Sequence, residues 1–308
     1  MKTHIYTHPC FLKHDTGPGH PERPARLEVL FDLFKEKPFN TLPIVEAQEA
    51  QRAWILRAHD ERYYDALQEA IPDDGLGYLD GDTCVSPGSW EAAVKAAGAV
   101  CQAVDDVMTG KADRAFCAVR PPGHHAFPGH AEGFCLFNNI FIGALHAQAA
   151  HKMSRVAVVD FDVHHGNGSD YMARRHENVF YASTHQWPLY PGTGLPEDNI
   201  KGRVVNIPLA AGDGSTAFRN AWSGAILPAL DEFKPELLMI SAGFDAHRDD
   251  PLANINLVED DFRWITDEYK KIAANHCGGR IISVLEGGYN VNALKSSVAA
   301  HLSSLANL

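Results

Sequence analysis

Val156-Ala157-Val158-Val159-Asp160-Phe161-Asp162-Val163-His164-His165-Gly166-Asn167-Gly168 is the stretch that decides the fold. Its first four residues are an unbroken apolar run rich in β-branched side chains. Such a run suits a strand buried on both faces, as in a parallel sheet. The residues that follow are mostly ionisable or glycine. Three other stretches repeat the design. Ala118-Val119 leads into Arg120-Pro121-Pro122-Gly123-His124-His125. Leu237-Leu238-Met239-Ile240 leads into Ser241-Ala242-Gly243-Phe244-Asp245. Ile281-Ile282-Ser283-Val284-Leu285 leads into Glu286-Gly287-Gly288-Tyr289. Open α/β sheets place their sites beyond the carboxyl ends of the strands. The four polar ends are therefore expected to meet.

Helix-like segments separate these runs. Apolar residues recur at helical spacing over 89–109 (Val94, Ala97, Cys101, Val104, Met108), 215–234 (Phe218, Trp222, Ile226, Leu230, Phe233) and 259–276 (Phe262, Ile265, Tyr269, Ile272). Strands are expected at 115–119, 156–160, 179–182, 204–207, 237–241 and 281–285. The first 75 or so residues are less regular, with helices near Arg23–Lys35 and Asp60–Ala70, and Ile71–Ser89 reads as a surface loop. The pattern predicts an α/β fold with a parallel sheet covered by helices. No linker, repeat or low-complexity tract divides the 308 residues, so a single domain over 1–308 is expected.

Composition excludes some functions. The chain is 45% apolar with a formal charge of −12. An acidic chain gains nothing from phosphate backbones, so direct nucleic-acid binding is not expected, whereas a cationic substrate would be attracted. None of the six cysteines forms a Cys-x-x-Cys pair. No run reaches the roughly 20 apolar residues of a membrane helix, and the N-terminus lacks a signal core. A reducing compartment, the cytoplasm, and no membrane association follow as expectations.

The chemistry centres on Asp162-x-His164. Two positions apart at a strand end, these side chains point the same way. With Asp245 from another strand end they offer a zinc-type ligand set that leaves a position open for water. Alone, an Asp-x-His reads more readily as a capped turn than as a metal site; its company at the other strand ends reverses that. His124-His125 can act as general base and as general acid or electrostatic partner, with Asp160 and Asn167 as their candidate partners. Tyr289, after two glycines, can hydrogen-bond a developing oxyanion. Phe134 and Tyr190 supply loop aromatics suited to walling a tunnel for an aliphatic chain.

Taken together these residues resemble the histone deacetylase superfamily, which includes acetylpolyamine amidohydrolases and bacterial deacetylase-like amidohydrolases. The matching strings are His20-Pro21-Glu22-Arg23-Pro24, Arg120-Pro121-Pro122-Gly123-His124-His125, Gly133-Phe134-Cys135, Asp160-x-Asp162-x-His164-His165-Gly166-Asn167-Gly168, Pro191-Gly192-Thr193-Gly194, Ala242-Gly243-Phe244-Asp245 and Glu286-Gly287-Gly288-Tyr289. The resemblance implies an arginase-like fold with a parallel eight-stranded sheet, and zinc on Asp162, His164 and Asp245. It makes His125 the general base, with Asn167 behind it where class I enzymes have Asp, as in the class II and bacterial branch. His124, paired with Asp160, stays protonated or orients substrate. Gly133 accepts the substrate amide N–H through its carbonyl, and Phe134 and Tyr190 wall the tunnel. Asp80 or Asp82 holds the substrate backbone, and Arg26 matches an arginine of an internal acetate channel. Potassium is implied near the zinc, on main-chain oxygens of Asp160, Asp162, His164 and Thr184 and the side chains of Asp160 and Ser183. The expected activity is zinc-dependent hydrolysis of acetyl-lysine, with an acetylated polyamine or other small amide as the alternative. A zinc-binding pseudoenzyme would need neither the two histidines nor Tyr289. A binuclear arginase-like enzyme would need a second bridging set of carboxylates.

Overall fold

The computed structural model describes residues 1–308. Its strands are β1 Thr3–Thr7, β2 Ile44–Glu46, β3 Gly77–Tyr78, β4 Cys84–Val85, β5 Arg114–Cys117, β6 Val156–Asp160, β7 Val179–Gln186, β8 Val204–Leu209, β9 Leu237–Ala242 and β10 Ile281–Leu285. Eight form one sheet in the order β2-β1-β5-β10-β9-β6-β7-β8, with every pairing parallel. β3 and β4 form a separate small hairpin inside the stretch read as a loop. The expected arginase-like α/β architecture is thus the observed one.

The strand order explains why distant motifs meet. β5, β10, β9 and β6 are consecutive in the sheet, although β7 and β8 intervene in sequence. These are the four strands that carry the polar ends. The chain passes from β5 to β6 and returns later to insert β9 and β10 between them. Such a reversal opens a crevice at the carboxyl edge.

Helices cover both faces. Neighbouring strand residues point to opposite sides: Cys117 of β5 donates to the Ala99 carbonyl in helix Ser89–Met108, whereas the Phe116 ring meets His301 of helix Val291–Ala306 edge-on at 5.9 Å. The central strands are buried throughout, as their near-continuous apolar sequence requires.

Some elements differ from expectation. Helix Asn139–His151 shows no stripe because Ile140, Phe141, Ile142, Ala144 and Leu145 are all buried, so no polar face marks its period. β1 contains three polar residues and is nonetheless fully buried. Its Thr7 hydroxyl donates to the Ala118 carbonyl and its Tyr6 hydroxyl to Asp106. The helical run 215–234 contains a π segment, Trp222–Ile226, just before Pro228. Proline lacks an N–H and crowds the carbonyl four residues back, and the wider turn accommodates it.

Candidate active site

β6 stops at Asp160, so strand alternation does not align Asp162 with His164. Successive side-chain caps do. Asp160 Oδ1 accepts the N–H of Asp162 at 3.1 Å, and Asp162 Oδ1 accepts that of His164 at 2.9 Å. An Asp that bonds the backbone two residues on makes a tight Asx-type turn. Asp245, from the end of β9, accepts the Val163 N–H at 2.9 Å. His164 Nδ1 ends 3.1 Å from an oxygen of Asp162 and 3.1 Å from one of Asp245. One ligand atom from each residue lies within 4.8 Å of the other two. Gly287 N–H donates to Asp162 at 2.8 Å, and a Cβ on Gly287 would strike the Asp245 carboxylate. The glycine pair therefore serves backbone approach at this point.

The donor set fits a divalent cation. Two carboxylates and an imidazole nitrogen match zinc's preferred ligands. Burial, with Asp162 beside it, pushes the Asp245 carboxyl up to about 7. Burial opposes a charge on His164, but Asp162 and Asp245 outweigh it and raise the ring to about 10. A cation at this point would supply the positive charge that these buried anions otherwise draw from protons.

The two adjacent histidines receive unlike partners. His124 Nδ1 lies 2.9 Å from Asp160 Oδ2, which also accepts the Tyr181 hydroxyl at 3.1 Å. Burial disfavours charge on His124, yet Asp160 and then Asp162 raise it to about 10. His125 Nδ1 lies 2.8 Å from the amide oxygen of Asn167. Burial, with His124 and His164 nearby, pushes His125 well below the ordinary histidine value. At neutral pH one ring is charged and the other is a free acceptor. The turn that presents them hangs from Glu286, which accepts the N–H groups of Gly123 at 2.7 Å and His124 at 3.2 Å.

A cavity of about 220 Å³ opens onto these groups. His125, Gly133, Phe134, His164, Tyr190 and Tyr289 line it, with Asp82, Leu189 and Leu252. His164 is the ligand-set residue that reaches its wall. Tyr289 is fixed through its own N–H, which donates to Asp250 at 2.7 Å. Its ring meets Phe134 edge-on at 5.9 Å. Phe134 has φ 68°, an unfavourable region for a non-glycine residue. Its N–H donates to Thr83 Oγ1 at 3.1 Å, so the β3–β4 hairpin holds it there. Tyr190 stands edge-on to His125 at 5.2 Å and is 40% exposed.

Of the two loop aspartates, Asp82 lines the cavity. Asp80 Oδ1 is occupied by the N–H groups of Asp82 and Thr83 in its own turn. Arg26 is fully buried and donates to Gly288 O at 2.6 Å and to Glu22 at 3.0 Å. Arg120 grips the same Glu22 through two nitrogens and donates to the carbonyls of Phe11 and His14. Thus Glu22 and Arg120, quoted within motifs, form a buried clamp behind Tyr289, whose ring lies 5.1 Å from the Arg26 guanidinium. Glu286, Asp250 and Glu132 hold the histidine turn, Tyr289 and Asn167 respectively, roles that no strand-end motif spells out. The glutamate in Glu-Gly-Gly-Tyr was the one visible signal.

Asp105, His146 and His151 also converge. However, Arg57 donates to His146 Nδ1 at 2.7 Å, so His146 Nε2 carries a proton and donates to Asp105 at 2.8 Å. That is a satisfied hydrogen-bond cluster rather than an open ligand set.

Comparison with known proteins agrees with this geometry. The histone deacetylase domain family model matches residues 20–305. The type-2 histone deacetylase 2 of Dictyostelium discoideum is 36% identical over 99% of this chain, which spans 21% of that protein. The histone deacetylase-like amidohydrolase of Pseudomonas aeruginosa is 39% identical, covering 88% of this chain and 73% of its own length. The crystal structure of the HDA15 HD domain superposes with a TM-score of 0.94 at 32% identity, over 99% of this chain and 88% of that one. The chain therefore belongs to the histone deacetylase family of hydrolytic deacetylases and amidohydrolases.

Proposed function

We propose that residues 1–308 act as one catalytic domain, a zinc-dependent deacetylase that hydrolyses the acetyl amide of acetyl-lysine in proteins or peptides. The observation that carries this reading is the meeting, at one cavity, of His125 with its Asn167 partner, a buried Asp-His-Asp ligand set and a phenol, with the Asp160-paired His124 next to His125. Asp162, His164 and Asp245 would hold the zinc. The ion would supply Lewis acidity, polarising the amide carbonyl and lowering the pKa of a water toward about 7.

The chain's own residues do the rest. His125 Nδ1–H donates to Asn167, which leaves Nε2 free to take a proton from the attacking water. Tyr289 donates a hydrogen bond to the carbonyl oxygen as it gains charge. The positive charge on His124, anchored by Asp160, steadies the same oxygen. As the C–N bond breaks, the histidine pair returns a proton to the amine, and acetate and free amine leave. Phe134 and Tyr190 pack along the aliphatic stem, and the Gly133 carbonyl accepts the substrate N–H. A potassium ion near the ends of β6 and β7 is part of this reading. It is supported by Asp160 and Ser183 being register partners on adjacent strands. No helix is long and apolar enough to cross a membrane. The six cysteines are all buried and unpaired, which supports a reducing compartment such as the cytoplasm.

Asp82 on the cavity wall favours a second substrate, an acetylpolyamine whose distal ammonium it could meet. Ranking an acetyl-lysine peptide against acetylputrescine and acetylspermidine by kcat/KM tests the choice. The peptide is expected to lead, and much faster cleavage of both polyamines would overturn the lysine assignment while leaving the mechanism.

A further inference from the structure

Asn167 has an amide with two faces, and its partners decide which face His125 meets. Its Oδ1 accepts from His125 Nδ1 at 2.8 Å and from the Gly168 N–H at 3.1 Å. Its Nδ2 donates to Glu132 Oε1 at 2.7 Å. An ionised carboxylate can only accept hydrogen bonds. Glu132 therefore admits only the NH₂ edge of Asn167 and turns the oxygen toward His125. Facing that oxygen, His125 must carry its proton on Nδ1, with Nε2 bare toward the cavity. The same Glu132 oxygen accepts the Tyr190 hydroxyl at 3.2 Å, and the other lies 3.3 Å from His130 Nε2.

The backbone places this carboxylate. Glu132 and Cys135 exchange both backbone hydrogen bonds, at 3.2 and 3.0 Å, around a two-residue turn in which Gly133 and Phe134 both have positive φ. A Cβ on Gly133 would lie 2.5 Å from the His125 ring. The tunnel-wall turn thus packs directly on the imidazole, and Glu132 is its first residue.

We infer that Glu132 is a positioning residue: through Asn167 it sets the tautomer of His125, and through the Tyr190 hydroxyl it ties the tunnel wall to the same carboxylate. This rests on the proposed role of His125 as base. It gives the neutral Asn167 a negative charge one hydrogen bond further out, so His125 is oriented by a charge it does not touch. Glu132 does not contact substrate.

The test combines kinetics on an acetyl-lysine peptide with imidazole ¹⁵N NMR of the zinc-loaded protein. Outer partners of metal-site residues typically contribute 10–100-fold, so Glu132→Leu should lower kcat on the order of tenfold with KM little changed. Glu132→Gln, which keeps an acceptor for Asn167, should recover most of that loss. In an Asn167→Ala background Glu132→Leu should cost almost nothing more, because the effect travels through the amide. NMR should report His125 as the Nδ1–H tautomer in the wild type and as a mixture in Glu132→Leu. Unchanged kcat in Glu132→Leu, an undiminished loss in the Asn167→Ala background, or a pure Nδ1–H tautomer without Glu132 would each overturn the inference. A wild type that cleaves no acetylated amine would instead refute the functional reading, and the NMR comparison would still judge Glu132.

Discussion

Two buried charged clusters hold the Gly287-Gly288 backbone just before Tyr289, and they have opposite characters. In one, Asp162, His164 and Asp245 gather more negative than positive charge, and the cluster meets a cavity through His164. In the other, Glu22 is gripped by Arg26 and Arg120, the remaining guanidinium nitrogens donate to main-chain carbonyls, and all three residues are fully buried. Both are built from residues of short motifs. The difference teaches how to separate a reactive buried charge from a structural one. A structural cluster spends its hydrogen bonds within itself and on main-chain carbonyls that hold its surplus positive charge, away from any opening, whereas a reactive one leaves charge uncompensated beside an opening.

The comparison breaks if the first cluster behaves like the second. Asp245→Ala is expected to abolish zinc retention. The loss of several kcal/mol of metal-derived stabilisation corresponds to a drop in turnover of roughly 10³-fold or more. Elemental analysis beside steady-state kinetics checks both, and unchanged zinc in the variant would contradict the ligand assignment. Next in size, His125→Ala should lower kcat about 10²–10⁴-fold and Tyr289→Phe about 10²–10³-fold, each with zinc content and melting temperature near wild type. Near-full turnover in either would remove that residue from the mechanism.

The second cluster should respond in stability instead. Glu22→Gln leaves two buried guanidinium groups without their anion, a change that costs about 3–5 kcal/mol in comparable sites. Its pH dependence has a definite sign. Burial alone would raise the Glu22 carboxyl, but Arg120 and Arg26 outweigh it and hold it down at about 2, against an ordinary 4.5. A group with a depressed folded-state pKa stabilises fully above its unfolded value and loses that contribution as pH falls through the folded one. The gap in melting temperature between wild type and Glu22→Gln should therefore narrow between about pH 4.5 and pH 2. A gap constant over that window would contradict the clamp. The smallest effect concerns the rim. Asp82→Asn should raise KM a few-fold for a cationic substrate at low salt and less at high salt, because exposed charge interactions are screened. An effect independent of salt would argue against electrostatic attraction there.

Much of this was legible in the sequence, and the exceptions have physical reasons. The central strands announced themselves because parallel strands must be apolar on both faces. The amphipathic helices did so through their spacing. Helix Asn139–His151 was silent because burial on all sides erases the stripe, and β1 because the hydroxyls of Thr3, Tyr6 and Thr7 are satisfied internally. Each site residue named from the sequence lies in a local motif, Asp160 and Asn167 included, but Glu132 and Asp250, which hold Asn167 and Tyr289, do not. Glu132 belongs to no strand end, and Asp250 lies in a loop. Their importance comes from hydrogen bonds to residues more than 30 positions away. Choosing Asp82 over Asp80 likewise needed the turn that occupies Asp80.

The central claim is that an Asp162–His164–Asp245 zinc serves amide hydrolysis at this cavity. Its most direct test is acetate release from an acetyl-lysine peptide by chelator-stripped protein, measured before and after zinc is titrated back. The account predicts negligible release before addition, recovery that saturates at one zinc per chain, and no recovery in Asp245→Ala. Full acetate release by the stripped protein, or recovery in Asp245→Ala equal to wild type, would contradict it.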